Sequence, residues 1–403
     1  MKVKVALAPM AGITDSAFRL INKFGGADLV YSEMAHANAI SFNSQKTLSI
    51  LRASLFEFPY VVQLFGNDPK YFAKAAKIIS ERGVPAMRYK PFSSKRIRFI
   101  NKLVSSTKFP VLSNCYFLRR FTDFQNKLKT RNWELPAHPV GGGTKYCIPS
   151  GLDINLGCPA KKVFGHGSGA ALWKDLPKVR KILEAVLGNT KLPVSIKTRT
   201  AVGKISIFDL LDYIKDLPLK RIMIHGRSYQ QGFSGPIDAK VIKEAIKKYP
   251  QFEFWVNGGI VDRESAQKVI KETDCPNLGI ARGACGNPLL AEEIRATSPS
   301  PLPASPAGGL RKEGKSCPYK GKVVVARRPG GFDAATKCLL AYIHSILNFQ
   351  SKGPRGILEM RKHLCWYFKD FPGAKVWRRK LVAVENIEDI ENILEKIARQ
   401  KQF

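Results

Sequence analysis

The run Val194-Ser195-Ile196-Lys197-Thr198 returns in changed letters as Arg221-Ile222-Met223-Ile224-His225, Glu253-Phe254-Trp255-Val256-Asn257 and Leu278-Gly279-Ile280-Ala281. Each run is short, dense in large apolar residues and closed by a polar or small one, the pattern of a strand buried on both faces. Helical periods separate them at residues 207–215, 239–248 and 263–272. A strand–helix unit repeated in this way builds a parallel sheet. Toward the amino terminus the unit recurs, with strands at 3–8, 28–32, 60–65 and 152–155 and helices at 15–24, 69–81 and 176–187. Eight strands alternating with helices over about 290 residues predict an α/β fold of the (β/α)8 TIM-barrel type. A doubly wound sheet is the competitor, but no GxGxxG follows the first strand.

One interval breaks the period. Strands three and four stand about 85 residues apart, where a helix and two loops need about 25–30. The excess, residues 86–150, holds thirteen Lys and Arg against Asp123 and Glu134, with Phe92, Phe99, Phe117, Phe121, Phe124 and Trp133 interleaved. It follows a helix and precedes a strand, so this insertion is expected to root on the amino-terminal face, opposite the usual catalytic end, as a basic decoration. After a short helix around 288–295, Ser298-Pro299-Ser300-Pro301 opens a Pro/Ser-rich basic linker over 296–331. The pattern then turns helical at 334–349, 355–368 and 388–399, with basic clusters at Arg361-Lys362-His363 and Arg378-Arg379-Lys380. The expected organisation is a barrel over 1–295 carrying the insertion, the linker, and a helical domain over 332–403.

The 403 residues carry 66 Lys and Arg against 32 Asp and Glu, a formal net charge of +34, and 44% are hydrophobic. That apolar content supports a sizeable core and excludes wholesale disorder. No run of about eighteen apolar residues predicts a membrane span, and no signal-peptide pattern opens the chain. The eight cysteines form no CxxC, so neither a disulfide framework nor a metal site is expected, and the chain reads as reduced and cytoplasmic. A positive surplus of this size points to a polyanionic partner, most simply a nucleic acid.

In such a barrel the carboxyl ends of the strands line the active site. Gly258-Gly259 and Gly283 would let backbone amides approach an anion, and Arg282 would grip it, beside strands seven and eight where barrels commonly hold phosphate. Gln63, Lys197 and His225 would face a ring rich in carbonyl and nitrogen acceptors. A flavin mononucleotide fits this set, and so does a sugar phosphate in the same cradle. Cys158 lies in a Gly/Pro-rich turn after strand four, where a thiol could donate a proton or act as nucleophile. His166 lies in a glycine-rich segment that favours a solvated imidazole, and it is left outside the catalytic set.

Several motifs carry a resemblance. Ala8-Pro9-Met10-Ala11-Gly12-Ile13-Thr14-Asp15 with Phe18-Arg19, Ser32-Glu33-Met34, Gln63-Leu64-Phe65-Gly66 and Asp153-Ile154-Asn155-Leu156-Gly157-Cys158-Pro159 stand in one order. Lys197-Thr198-Arg199, His225-Gly226-Arg227, Gln231-Gly232-Phe233-Ser234-Gly235, Asn257-Gly258-Gly259, Arg282-Gly283-Ala284 and Met360-Arg361-Lys362-His363 continue it. Together they resemble the flavin-dependent tRNA-dihydrouridine synthases of the bacterial type, over about 1–85, 150–295 and 332–400. The resemblance implies an FMN enzyme that uses NADPH to reduce a uracil in tRNA, with Cys158 as general acid. It implies FMN contacts from Pro9, Met10, Ala11, Gln63, Lys197, His225, Asn257, Gly258, Gly259, Ala281 and Arg282. It also places Asn155, Arg199, Arg361, Lys362, His363, Tyr367 and Lys369 on the RNA substrate. Gly259 stands where the family more often has an acidic residue, which leaves the backbone contact intact. The partner implied is tRNA, with no membrane, and the chain is expected to be a monomer. Two rivals remain: an FMN barrel acting on a free pyrimidine, and a non-catalytic RNA-binding barrel.

Overall fold

The computed structural model describes residues 2–105, 116–130, 145–296, 333–371 and 373–399. Eight parallel strands close into a barrel in chain order: β1 (Lys4–Leu7), β2 (Leu29–His36), β3 (Tyr60–Phe65), β4 (Gly151–Asn155), β5 (Val194–Arg199), β6 (Arg221–His225), β7 (Glu253–Asn257) and β8 (Asn277–Ile280), which pairs back onto β1. The expected TIM barrel is therefore present. Around it run α1 (Ser16–Phe24), α2 (Pro69–Arg82), α5 (Leu176–Leu187), α6 (Ile207–Ile214), α7 (Ala239–Lys248), α8 (Arg263–Thr273) and α9 (Leu290–Arg295), with α3 and α4 in the insertion. Six of these helices begin on a side-chain cap, Asp15, Asp68, Asp175, Ser206, Asp238 and Asp262, each accepting a backbone N–H of the first turn. Tyr31, Val61, Met223 and Trp255 fill the lower barrel interior, which leaves the upper end open for a site.

β2 runs past the expected Ser32 to His36, with a register irregularity between Tyr31 and Met34. The bulge turns the polar Ser32-Glu33 pair without ending the strand.

The insertion roots where the sequence places it. Its two ends, Val84-Pro85 and Tyr146-Cys147, pair antiparallel just before β4, at the amino-terminal side of the barrel. Its body differs from the expected decoration. The helices α3 (Ser94–Ser105) and α4 (Tyr116–Thr130) turn apolar faces into a second core shared with the carboxyl-terminal helices α10 (Ala334–Lys352), α11 (Pro354–Tyr367), α12 (Ala374–Leu381) and α13 (Ile387–Arg399). Phe124 of α4 meets Phe24 of α1 and Phe56 edgewise or tilted, at 5.2 and 4.8 Å between ring centres. Phe99 of α3 lies 4.6 Å from Tyr342 of α10, and Gln350 exchanges hydrogen bonds of 2.9 and 3.1 Å with the backbone of Lys90. The basic α3 faces the acidic α13, where Lys102 pairs with Glu395 and Lys95 with Glu388. The reason is amphipathicity: Ile100 and Leu103 need cover, and the charges beside them find opposite partners. Helix α12, absent from the expected pattern, starts after Gly373. The expected linker 296–331 lies outside the described residues except for Ala296.

Candidate functional site

At the carboxyl ends of the strands a cavity of about 440 Å³ opens. All eleven residues expected at FMN line it, from Pro9, Met10 and Ala11 after β1 to Ala281 and Arg282 after β8. Strand pleating does much of the placing: Lys197 and Arg199 are two residues apart on β5 and project the same way. His225 and Asn257 end β6 and β7 directly opposite each other. Asn257 is fixed by donating from Nδ2 to the Gly279 carbonyl at 2.6 Å. Next to it Gly258 (φ +111°) and Gly259 (φ +73°) adopt a backbone that other residues avoid, and a Cβ on Gly258 would stand 3.0 Å from the His225 ring.

The charges in this cavity have one sign. Among the described residues no carboxylate lines it, while Lys197, Arg199, Arg227 and Arg282 do. Burial, with Arg199 beside it, pushes the Lys197 ammonium down to about 8. Burial also holds His225 far below its usual range, helped by Lys197 and Arg199, so the imidazole is neutral and its Nδ1 has no partner. One guanidinium nitrogen of Arg227 is likewise buried without a partner. Orphaned donors, a glycine cradle and cations without counter-charge suit a phosphorylated ring ligand, and the donor set present fits FMN.

Cys158 sits half-buried at the rim. Asn155 Oδ1 accepts from the backbone N–H groups of Gly157 and Cys158 at 3.1 and 2.9 Å, closing the turn that carries the thiol. Gly169 (φ +62°) packs against it so closely that a Cβ there would stand 3.1 Å from Cys158 Cβ.

Several expected substrate contacts need correction. Arg199 is a buried brace as well as a lining residue: Nε donates to the Gly157 carbonyl at 2.7 Å and a terminal nitrogen to Ser228 and Gly232 at 2.8 and 2.9 Å. It ties the Cys158 turn to the 228–232 loop while still lining the cavity. His363 and Tyr367 are buried in the helical core, among Phe18, His344 and Trp366, and cannot meet a phosphate. Arg361 spends its Nε on the Val384 carbonyl at 2.9 Å, and Lys362 reaches back to the Gly12 carbonyl of the first barrel loop. Lys369 alone of the five tail residues is exposed. His166 does not line the cavity.

Phe233 and Arg227 are lining residues outside the expected set. Phe233, 56% exposed, lies with its ring under the Arg282 guanidinium at 4.7 Å and near that of Arg199 at 5.8 Å. Arg227 is held by its Nε on the Gly235 carbonyl at 2.7 Å. Both belong to motifs quoted for the resemblance, Gln231–Gly235 and His225-Gly226-Arg227, and an aromatic between glycines beside a cationic mouth was the available signal.

A parallel barrel with a cationic, ring-sized mouth and a thiol at its rim fits a flavin-type oxidoreductase. The sequence matches the family described as dihydrouridine synthase (Dus) over residues 6–87 and 146–402, and the chain belongs to that family of flavin-dependent oxidoreductases. It is 24% identical over 397 residues to the "Probable tRNA-dihydrouridine synthase 1" of Synechocystis sp., covering 98% of this chain and 86% of that one. It is 26% identical over 392 residues to tRNA-dihydrouridine synthase B of Pseudomonas aeruginosa, covering 96% and 90%. The family match passes over residues 88–145, which hold the helical insertion. Among the described residues no helix is long and apolar enough to cross a membrane.

Proposed function

We propose that this chain reduces the C5–C6 double bond of specific uridines in tRNA, using FMN and NADPH, with Cys158 as the proton donor. The observation that carries the reading is a half-buried thiol, on a turn braced by Asn155 and Arg199, at the rim of a cationic cavity that no described carboxylate lines. FMN, when bound, supplies hydride chemistry. Arg282 and the backbone amides of Gly258 and Gly259 would hold its phosphate, and Lys197, Gln63 and the neutral His225 its ring. Cys158 gives its proton to C5 of the base. The uracil has to leave its stack to reach the cavity. Lys369 and the exposed Arg378, Arg379 and Lys380 of α12 are placed to hold phosphates of a folded RNA. The chain is taken to act as a monomer in the cytoplasm.

Incubation with unmodified tRNA and NADPH should yield dihydrouridine, read by mass spectrometry and by reverse-transcription mapping. Cys158→Ala should retain flavin and its reduction by NADPH while losing about 10²–10⁴ in tRNA turnover. Unchanged turnover in that variant would remove Cys158 from the role.

A further inference from the structure

Asp153 and Asn155 stand two residues apart on β4 and therefore share its inner face. Gln63 of β3 and Ser195 of β5 are the residues paired with Asp153 on either side. Their side chains form one line. Gln63 Nε2 donates to Asp153 Oδ2 at 2.7 Å, and Asn155 Nδ2 donates to Gln63 Oε1 at 2.9 Å. Asn155 Oδ1 accepts from the backbone of Gly157 and Cys158, and Ser195 Oγ donates to Asp153 Oδ1 at 2.6 Å. Asp153, Gln63, Asn155 and Ser195 are all buried.

The two ends of this line have fixed polarity. A carboxylate only accepts and a backbone N–H only donates, whereas an amide satisfies a neighbour either way round. With an acceptor at one end and donors at the other, a single orientation of the two amides satisfies every junction. A reversed amide would bury an unmatched pair.

We propose that Asp153, which does not line the cavity, is a positioning residue: through Gln63 it fixes the hydrogen-bond polarity of Asn155 and of the turn that presents Cys158. Both amide oxygens are engaged within the line, and the second N–H of Asn155 turns to Met34 Sδ at 3.5 Å, which leaves the second N–H of Gln63 for a ligand. The floor of the cavity therefore offers a donor. It suits a ring edge of carbonyl oxygens and disfavours a ring amino group. That the ring is a uracil or a flavin rests on the function proposed above; the lock itself does not.

The test reverses the line. Asn155→Asp sets an acceptor against Gln63 Oε1, and Gln63 can turn only by facing its oxygen to the Asp153 carboxylate. Asp153→Asn alone still offers Gln63 an oxygen, because the Ser195 hydroxyl can rotate to accept. Combining the two restores every donor–acceptor match with Gln63 reversed and the net charge unchanged. The readouts on the full-length protein are FMN affinity by fluorescence quenching, alkylation of Cys158 by iodoacetamide followed on its peptide, and Tm. Asn155→Asp should weaken FMN binding about tenfold or more, roughly the cost of one unmatched buried pair. Asp153→Asn should shift it by less than about threefold. The double variant should bind at least about threefold better than Asn155→Asp and return the alkylation rate toward wild type. If Asn155→Asp alone does not fold, recovery of folded protein in the double variant is the same rescue. Gln63→Met should abolish the rescue, since the coupling needs an amide. Additive effects would overturn the proposal, and so would a rescue that survives Gln63→Met, which would mark plain repulsion between carboxylates. None of these readouts uses tRNA, so failure to form dihydrouridine in wild-type protein would count against the proposed function and leave this test standing.

Discussion

The barrel and the body built from the insertion and the carboxyl-terminal helices bury their apolar surface by different routes. In the barrel each helix covers strands next to it in sequence, so the core is assembled from local units. In the second body, one core is shared by the outer face of α1, by α3 and α4, and by helices that begin some 200 residues later. Helix α1 belongs to both, with Phe18 packed in the barrel core and Ala17, Leu20, Ile21 and Phe24 facing the second. The loop before it is tied to the tail as well: Lys352 bonds Asp15 at 2.6 Å, and Lys362 bonds the Gly12 carbonyl. Helices α10 and α11 are thus fastened to the first βα loop, whose Pro9, Met10 and Ala11 line the cavity.

The largest effect should come from the residue nearest that junction. Arg19 is fully buried, with Nε on Glu57 at 2.6 Å and its terminal nitrogens on the carbonyls of Thr14 and Arg52 at 2.6 and 2.5 Å. Arg19→Met should cost about 3–5 kcal/mol in urea denaturation, because Glu57 is left buried without its counter-charge. A loss under about 1 kcal/mol would show that Glu57, which burial already pushes upward, simply takes a proton.

Acid should separate the two regions next. Burial holds His344 down to about 4 and His363 well below its usual range, both against α1, with Asp15, Lys352 and Lys362 around them. A base with a depressed folded-state pKa binds more protons when unfolded, so stability falls as pH drops below its ordinary 6.5. For His344 the loss is complete near its folded value and amounts to on the order of 3 kcal/mol. Asp15 adds to it only at lower pH. Burial alone would raise its carboxyl, but Lys352 and His363 hold it at about 2, so its contribution fades as pH falls from about 4 toward 2. His225 at the end of β6 carries the same penalty, so hydrogen exchange at pH 7 and pH 4.5 should show α10, α11 and β6 opening before the barrel helices α2 and α5. Uniform opening would mean that the two cores act as one.

This comparison also explains what could be read in the sequence. The eight strands were legible because both faces are buried and every residue in them is constrained. The cavity followed, since strand ends put Gln63, Lys197, His225 and Asn257 at one mouth whatever the helices do. The second body was only half legible. Periodicity showed helices near 334–349, 355–368 and 388–399, but an amphipathic stripe does not name the surface it will cover. That is why the surface covered by α3 is not legible in the sequence, and why neither periodicity nor the resemblance shows that His363 and Tyr367 face inward. Arg199 sits at a strand end and lines the cavity as expected, but its bracing bonds to the carbonyls of Gly157, Ser228 and Gly232 were not legible in the sequence.

A smaller change should discriminate between the cores directly. Leu103 of α3 is buried against the second body only. Leu103→Ala should cost about 2 kcal/mol, the low end for a core leucine on a two-helix insertion. The cost should appear as faster exchange in α10 and α13 and as a raised KM for tRNA, with FMN retention unchanged. Loss of flavin would show that the barrel depends on the insertion more than its separate core suggests.

The smallest expected effect settles what docks α3 onto α13. If charge holds the two together, breaking the Lys102–Glu395 and Lys95–Glu388 pairs should matter as much as losing Leu103. The physics favours the apolar contact. Both lysines are more than half exposed, and surface pairs of this kind contribute about 0–1 kcal/mol and weaken with salt. A double-mutant cycle on Lys102→Ala and Glu395→Ala should therefore give a coupling under about 1 kcal/mol that fades in high salt. Glu395 also holds Arg399 at 2.5 Å, so the single Glu395→Ala change should cost slightly more than Lys102→Ala. A coupling above that of Leu103→Ala would reverse the assignment, making the insertion an electrostatic clamp on an acidic helix with its apolar face in second place.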